Sequence, residues 1–155
     1  MSDAKETMDL VDEFLQDEVM KRPLPDGSFI VETSFRGNNG GYSVRLAAKD
    51  DPLTLFCIVR HPLLVPEPKR VAMAEAVTRA NHGLPVGRFD LDMATGDLHL
   101  QAAIPLEGAM LTCDQLMTTL AAAMSASDVY HRAFARLTYG DDLSPAECIA
   151  EVEMR

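Results

Sequence analysis

No stretch of this chain is apolar for long enough to cross a bilayer. Its first residues are acidic and carry no apolar core of a secretory leader. Cysteine is scarce and odd in number. Cys57, Cys113 and Cys148 lie in otherwise apolar sequence, so three buried free thiols in a reducing cytoplasm are expected. Basic residues are the minority, 14 against 24 acidic ones, for a formal charge of −10. Nucleic acid is therefore not an expected partner, because neutralising phosphates takes clustered Lys and Arg. Basic or amphipathic partners suit that charge better. The chain also lacks internal repeats, low-complexity segments and any composition shift that would mark a boundary. At 155 residues and 47% hydrophobic it can bury a core without disulfides or metals, and residues 1–155 read as a single domain.

Recognisable catalytic and metal-binding patterns are missing too. His61, His82, His99 and His131 with the three cysteines match neither CxxC nor HExxH spacing. Cys57 and His61 share a strand face, but four residues along a strand is roughly 13 Å, too far to share an ion. The glycine-rich run Gly37–Gly41 is followed by a strand, not by the helix N-terminus that a phosphate loop needs, so it reads as a hairpin turn. Asp90 and Asp92 with Arg88, and Asp97 across the turn, alternate with apolar neighbours and mark the wet face of a hairpin. Ser34, Ser43, Ser125 and Ser127 have no nucleophile-elbow context. No catalytic, cofactor-binding or metal-binding residue is assigned, and a non-enzymatic protein is expected.

What the chain does have is clear periodicity. Met8, Val11, Leu15 and Val19 predict a helix over about 5–19, capped by Ser2 or Asp3 and closed by Lys21 and Arg22 before Pro23. Strands follow from Ser28 to Arg36, from Tyr42 to Leu46, and from Leu53 to His61, with Pro62, Pro66 and Pro68 stiffening the connection beyond. A helix over about 69–82 has Val71, Ala74, Val77 and Ala80 as its stripe and Gly83 as its stop. Phe89 and Leu91, then Leu98, Leu100, Ala102 and Ile104, make a hairpin around Met93–Gly96, with Gly96 supplying a positive φ. Thr112 and Gln115 form a capping box for a long helix over about 113–139. A break near 125–128 remains open there, because residues 121–127 are almost all small. Ser144 and Pro145 start a last helix. The order is αβββαββα plus a C-terminal helix. This predicts an α+β fold with a five-stranded antiparallel sheet and helices mainly on one face.

Asn81, Gly87–Asp92, Thr95–Gly96, Ile104–Gly108, Leu111–Thr112, Asp128, Tyr130 and Tyr139–Gly140 fall in the order seen in the YbjN family. The chain resembles that family of small bacterial proteins, labelled sensory-transduction regulators. The resemblance implies a fold like that of the type III secretion chaperones. The motifs are structural, and no catalytic residue is carried over with them.

A sheet covered on one face would leave Ile30, Phe56 and Ile58 as an apolar patch, extended by Ala103, among polar neighbours. These four are the candidate partner-binding residues. The alternative is that the C-terminal helix, with Cys148, Ile149 and Val152, folds back over them. The leading expectation is a homodimeric, chaperone-like or regulatory module that holds a partner polypeptide on a sheet face or in a helix groove, by helix docking or strand addition. The rival is a small-molecule-binding regulator or weak enzyme, with a pocket between the long helix and the sheet and His131, Tyr130 or His99 as its polar handle.

Overall fold

The computed structural model describes residues 2–16 and 19–154. Helix α1 (Ala4–Leu15) leads into strands β1 (Met20–Pro23), β2 (Phe29–Arg36), β3 (Gly41–Lys49) and β4 (Thr54–Leu64). A short 3-10 turn and helix α2 (Arg70–His82) precede strands β5 (Arg88–Leu91) and β6 (Asp97–Pro105). The long helix α3 (Cys113–Tyr139) and α4 (Pro145–Glu153) complete the order. The sheet is antiparallel in the order β1-β2-β3-β4-β6-β5, so it has six strands where five were predicted.

The extra strand is β1, and its sequence explains why it was missed. All four residues are exposed, so no apolar alternation announces it. It is held by backbone pairing to β2, from Met20 opposite Glu32 to Pro23 opposite Phe29. Pro23 ends the strand at the sheet edge, where a missing N–H costs little. Helix α1 is correspondingly shorter than predicted: Gln16 turns to φ 58 and stops it, and Val19 lies outside it. Positions 17 and 18 of the predicted helix lie outside the described residues. Asp3 is the cap, accepting from the Glu6 amide. Lys21 and Arg22 do not close the helix from its end. Lys21 pairs with Asp12 at 2.9 Å, and Arg22 pairs with Glu32 across the strands.

Strand β4 also outruns its prediction, continuing through Pro62 to Leu64. The pairing with β6 slips between Arg60 and Leu64, an irregularity that accommodates a residue unable to donate to the ladder. On α2 the buried stripe is Met73, Ala76, Val77 and Ala80, the i, i+3, i+4, i+7 set. The predicted stripe shares Val77 and Ala80 with it but took Val71 and Ala74 in place of Met73 and Ala76, and Val71 is 77% exposed. Neither Gly83 nor Gly140 stops its helix in a left-handed conformation, since their φ values are −103 and −89.

Helix α3 runs unbroken through its small-residue stretch, about 40 Å at 1.5 Å per residue. The predicted capping box is present, with Thr112 Oγ1 accepting from the Gln115 amide and Gln115 Oε1 accepting from the Thr112 amide. Leu116, Leu120, Ala123, Ser127, Tyr130, Phe134 and Leu137 are all buried, as their spacing predicted. Helices α1 and α3 lie on the sheet face formed by Val31, Val44, Leu46, Leu55, Val59 and Leu100, while α2 packs beside β5. Helix α4 packs on α2 and α3, where Cys148, Ile149 and Val152 are buried. It therefore does not fold over Phe56 and Ile58. Cys57 and Cys148 are buried free thiols, with burial pushing Cys57 up to about 12. Cys113 is exposed, contrary to expectation, because the first turn of α3 projects it into solvent.

Candidate functional site

The sheet's second face is lined by residues of opposite parity to the core. The strand register fixes which of them are neighbours. Phe56 stands between Ala47 on β3 and Ala103 on β6, and Ile58 stands between Arg45 and Gln101. Ile30 sits on β2 beside Arg22, two strands from Phe56. Three of the predicted partner-binding residues, Phe56, Ile58 and Ala103, are thus brought together, with Ile30 at the margin. Phe56, Ile58 and Ile30 are half-buried and Ala103 is exposed. The Lys49 ammonium lies 5.7 Å from the Phe56 ring centroid and shields part of it.

Beside this strip the curved sheet forms an open groove of about 820 Å³, with Glu32, Ser34, Arg45, Ile58, Arg60 and His99 among its lining. Ile58 belongs to both strip and groove, whereas Phe56, Ile30 and Ala103 flank it. Charge on this face is ordered in pairs. Glu32 takes both Arg22 and Arg45, the latter at 3.1 Å, Asp97 takes Arg60 at 2.6 Å, and Asp90 takes Arg88 at 3.2 Å. Asp92 instead accepts the amides of Ala94 and Thr95 in the β5–β6 turn, and those bonds hold its carboxyl below the usual range. The carboxylates of the hairpin therefore serve ion pairs and a turn, as their alternation suggested.

Sequence reasoning overlooked Arg45 and Arg60 as groove residues. The signal was available: Arg36, Arg45, Lys49, Arg60 and Arg88 all occupy the strand parity that the core leaves free.

The covered face carries a second polar feature that no local pattern announces. Asp128, midway along α3, clamps the β2–β3 turn. Its carboxylate accepts from the amides of Asn38 and Asn39, each at 2.9 Å, and from the Tyr42 hydroxyl at 2.8 Å. Burial pushes this carboxyl up, but the Asn39 amide, the Tyr42 hydroxyl and the Asn38 amide outweigh it and hold it below the usual carboxylate range. Gly37 and Gly40 are explained by the close approach of Asp128 and of its neighbour His131, and not by left-handed backbone, whereas Gly41 faces open space. A Cβ on Gly37 would stand 2.3 Å from Asp128 Oδ1, and one on Gly40 would stand 3.0 Å from His131 Nε2.

Next to the clamp, His61 Nδ1 and His131 Nδ1 lie 3.3 Å apart and both residues are buried, His61 against the rings of Tyr42, Phe89 and Phe134 and His131 against that of Tyr42. His61 Nε2 is buried without a hydrogen-bond partner. Burial, then the neighbouring His131, pushes His61 down to about 3, and burial lowers His131 as well. Tyr130 is buried and donates to Glu153 at 2.8 Å. His131 and Tyr130 are thus buried on the helical side, Tyr130 at the wall of a surface pocket beside Arg79 and His82, while His99 is on the opposite face of the sheet. The three polar handles do not converge. Among the described residues no group of three or more His, Cys, Asp or Glu is placed to hold a metal ion.

These features define a class: an α+β protein with one antiparallel sheet, its core on one face and a mixed apolar and ion-paired surface on the other. The chain matches the YbjN family, described as "Putative bacterial sensory transduction regulator", over residues 7–136, and it belongs to that family. No curated protein matches it. Among the described residues no helix is long and apolar enough to cross a membrane.

Proposed function

We propose that the chain is a non-enzymatic protein-interaction module, chaperone-like or regulatory, which holds a partner polypeptide against the open sheet face. The observation that carries this reading is the position of α4. It packs on α2 and α3 and leaves Phe56 and Ile58 partly exposed beside the groove. Burying those two side chains in a complex would contribute on the order of 2 kcal/mol each at most.

Face docking is favoured over strand addition by the state of the sheet edges. At β5, the Asn81 side chain donates to the Phe89 carbonyl at 3.0 Å and accepts from its amide at 2.7 Å, occupying the groups an added strand would need. At β1, Lys21, Arg22 and Pro23 blunt the other edge. Membership of a regulator family is consistent with a binding role in a reducing cytoplasm. A single domain over 1–155, a homodimer and a type III secretion chaperone-like mode of binding belong to the same proposal.

Phe56→Asp tests it. The substitution sits on the solvent side of the sheet, so the circular dichroism spectrum should be unchanged. Partner recovery in a crosslinked pull-down, or the oligomer seen by light scattering, should fall. An unchanged oligomer together with unchanged partner recovery removes this face from consideration.

A further inference from the structure

The open face differs from the rest of the molecule in charge. Along the strands its outward parity carries Arg22, Arg36, Arg45, Lys49, Arg60 and Arg88 against only Glu32, Asp90 and Asp97. The whole chain, in contrast, carries 24 acidic and 14 basic residues. The acidic excess therefore lies on the helical side and in the loops, and Asp92 at the groove's rim is already engaged by turn amides.

The pairing pattern leaves basic capacity unspent. Glu32 is shared between Arg22 and Arg45, and Arg36 and Lys49 have no acidic partner among the described residues. These groups surround an apolar strip of Phe56 and Ile58 with Ile30 at its margin, and among the described residues the strands of this face offer Phe56 as their one carbocyclic aromatic ring beside the His99 imidazole. A surface of that kind matches an amphipathic segment with apolar side chains towards the strip and carboxylates towards its margins. It matches single-stranded nucleic acid poorly, because base stacking calls for several aromatic platforms.

We infer that the partner segment held on this face is acidic and amphipathic, the reverse of what the chain's overall charge suggests. This rests on the docking reading above and specifies its occupant. A polypeptide carrying net negative charge is repelled by most of this molecule, and only the strand face offsets that repulsion. Attraction there is screened by salt, because the arginines are half or more exposed.

The test is an amide chemical-shift titration of the full chain with three probes: a short peptide alternating leucine and glutamate, its leucine and lysine counterpart, and an oligothymidylate. The acidic peptide should shift amides of β3, β4 and β6, weaken as salt is raised, and bind about tenfold less tightly to an Arg45→Gln/Arg60→Gln variant. The lysine peptide should shift amides on the helical side instead. Equal occupation of the strand face by the lysine peptide overturns the charge preference while leaving face docking intact. Shifts of the same amides by the oligothymidylate overturn the assignment to a polypeptide. If the acidic peptide leaves those amides unmoved, the inference fails, and the Phe56→Asp pull-down then decides the underlying docking reading on its own.

Discussion

Asp128→Ala is expected to lower the folding stability by about 3 kcal/mol, measured by denaturant unfolding at neutral pH. The carboxylate is the hub of a long-range contact, joining the β2–β3 turn to α3 across some 90 residues of sequence. Three donors converge on it, and hydrogen bonds to a charged group stabilise more than neutral ones. Truncation strands the Tyr42 hydroxyl, whose ring is buried and which ionises well above its usual range because of burial and this carboxylate. Gly37→Ala should act in the same direction, since the new methyl group would occupy the space of the carboxylate. Because the folded carboxyl is held below its ordinary 3.8, its stabilisation is present above that value. It is lost as pH falls through the folded value. A loss well under 1 kcal/mol would mean that the turn is held by its own backbone, not by α3.

Acidification to pH 5 should cost about 2 kcal/mol through His61, and His61→Phe should remove most of that dependence. The unfolded imidazole titrates near 6.5 and the folded one near 3. Above 6.5 both states are neutral, and the group contributes nothing to pH dependence. Below 6.5 the unfolded chain takes up a proton that the folded chain excludes, so stability falls with pH down to about 3. His131 adds to the loss, because burial lowers it too, against the opposing pull of Asp128. Among the described residues Asp128 is the acidic group that raises the His61 value, and its carboxylate is already committed to three donors. Phenylalanine suits the ring packing against Tyr42, Phe89 and Phe134 and carries no ionisable nitrogen. A slope of stability against pH between 7 and 5 that is the same in both proteins would contradict this account.

Much of the fold was legible because periodicity and caps are local properties. Thr112 and Gln115 announced α3, its buried stripe followed from four-three spacing, and the alternation around Phe89 and Leu100 placed the last hairpin. Strand β1 was not legible, since Met20–Pro23 shows no buried side and so no apolar alternation, and its contacts are the backbone ladder and surface side-chain pairs such as Arg22–Glu32. Pro62 concealed the end of β4 because a proline inside a paired strand needs an irregularity that only the neighbouring strand reveals. At the candidate site, Phe56 and Ile58 stood out as apolar residues on the polar parity. The basic partners on the same parity were equally visible, but the chain's acidic total drew attention away from them. The clamp at Asp128 and the buried pair of His61 and His131 could not be read locally, because each joins residues about 70 to 90 positions apart.

If the strand face around Ile58 is where this chain meets another polypeptide, a reactive probe placed there should capture the partner. Photocrosslinking from that position in native extract tests it most directly, with Ile58→benzoylphenylalanine compared against the same probe at Val71 on the exposed side of α2. A discrete protein adduct is expected from position 58 and none from position 71. An adduct from 71 with nothing from 58 would contradict it.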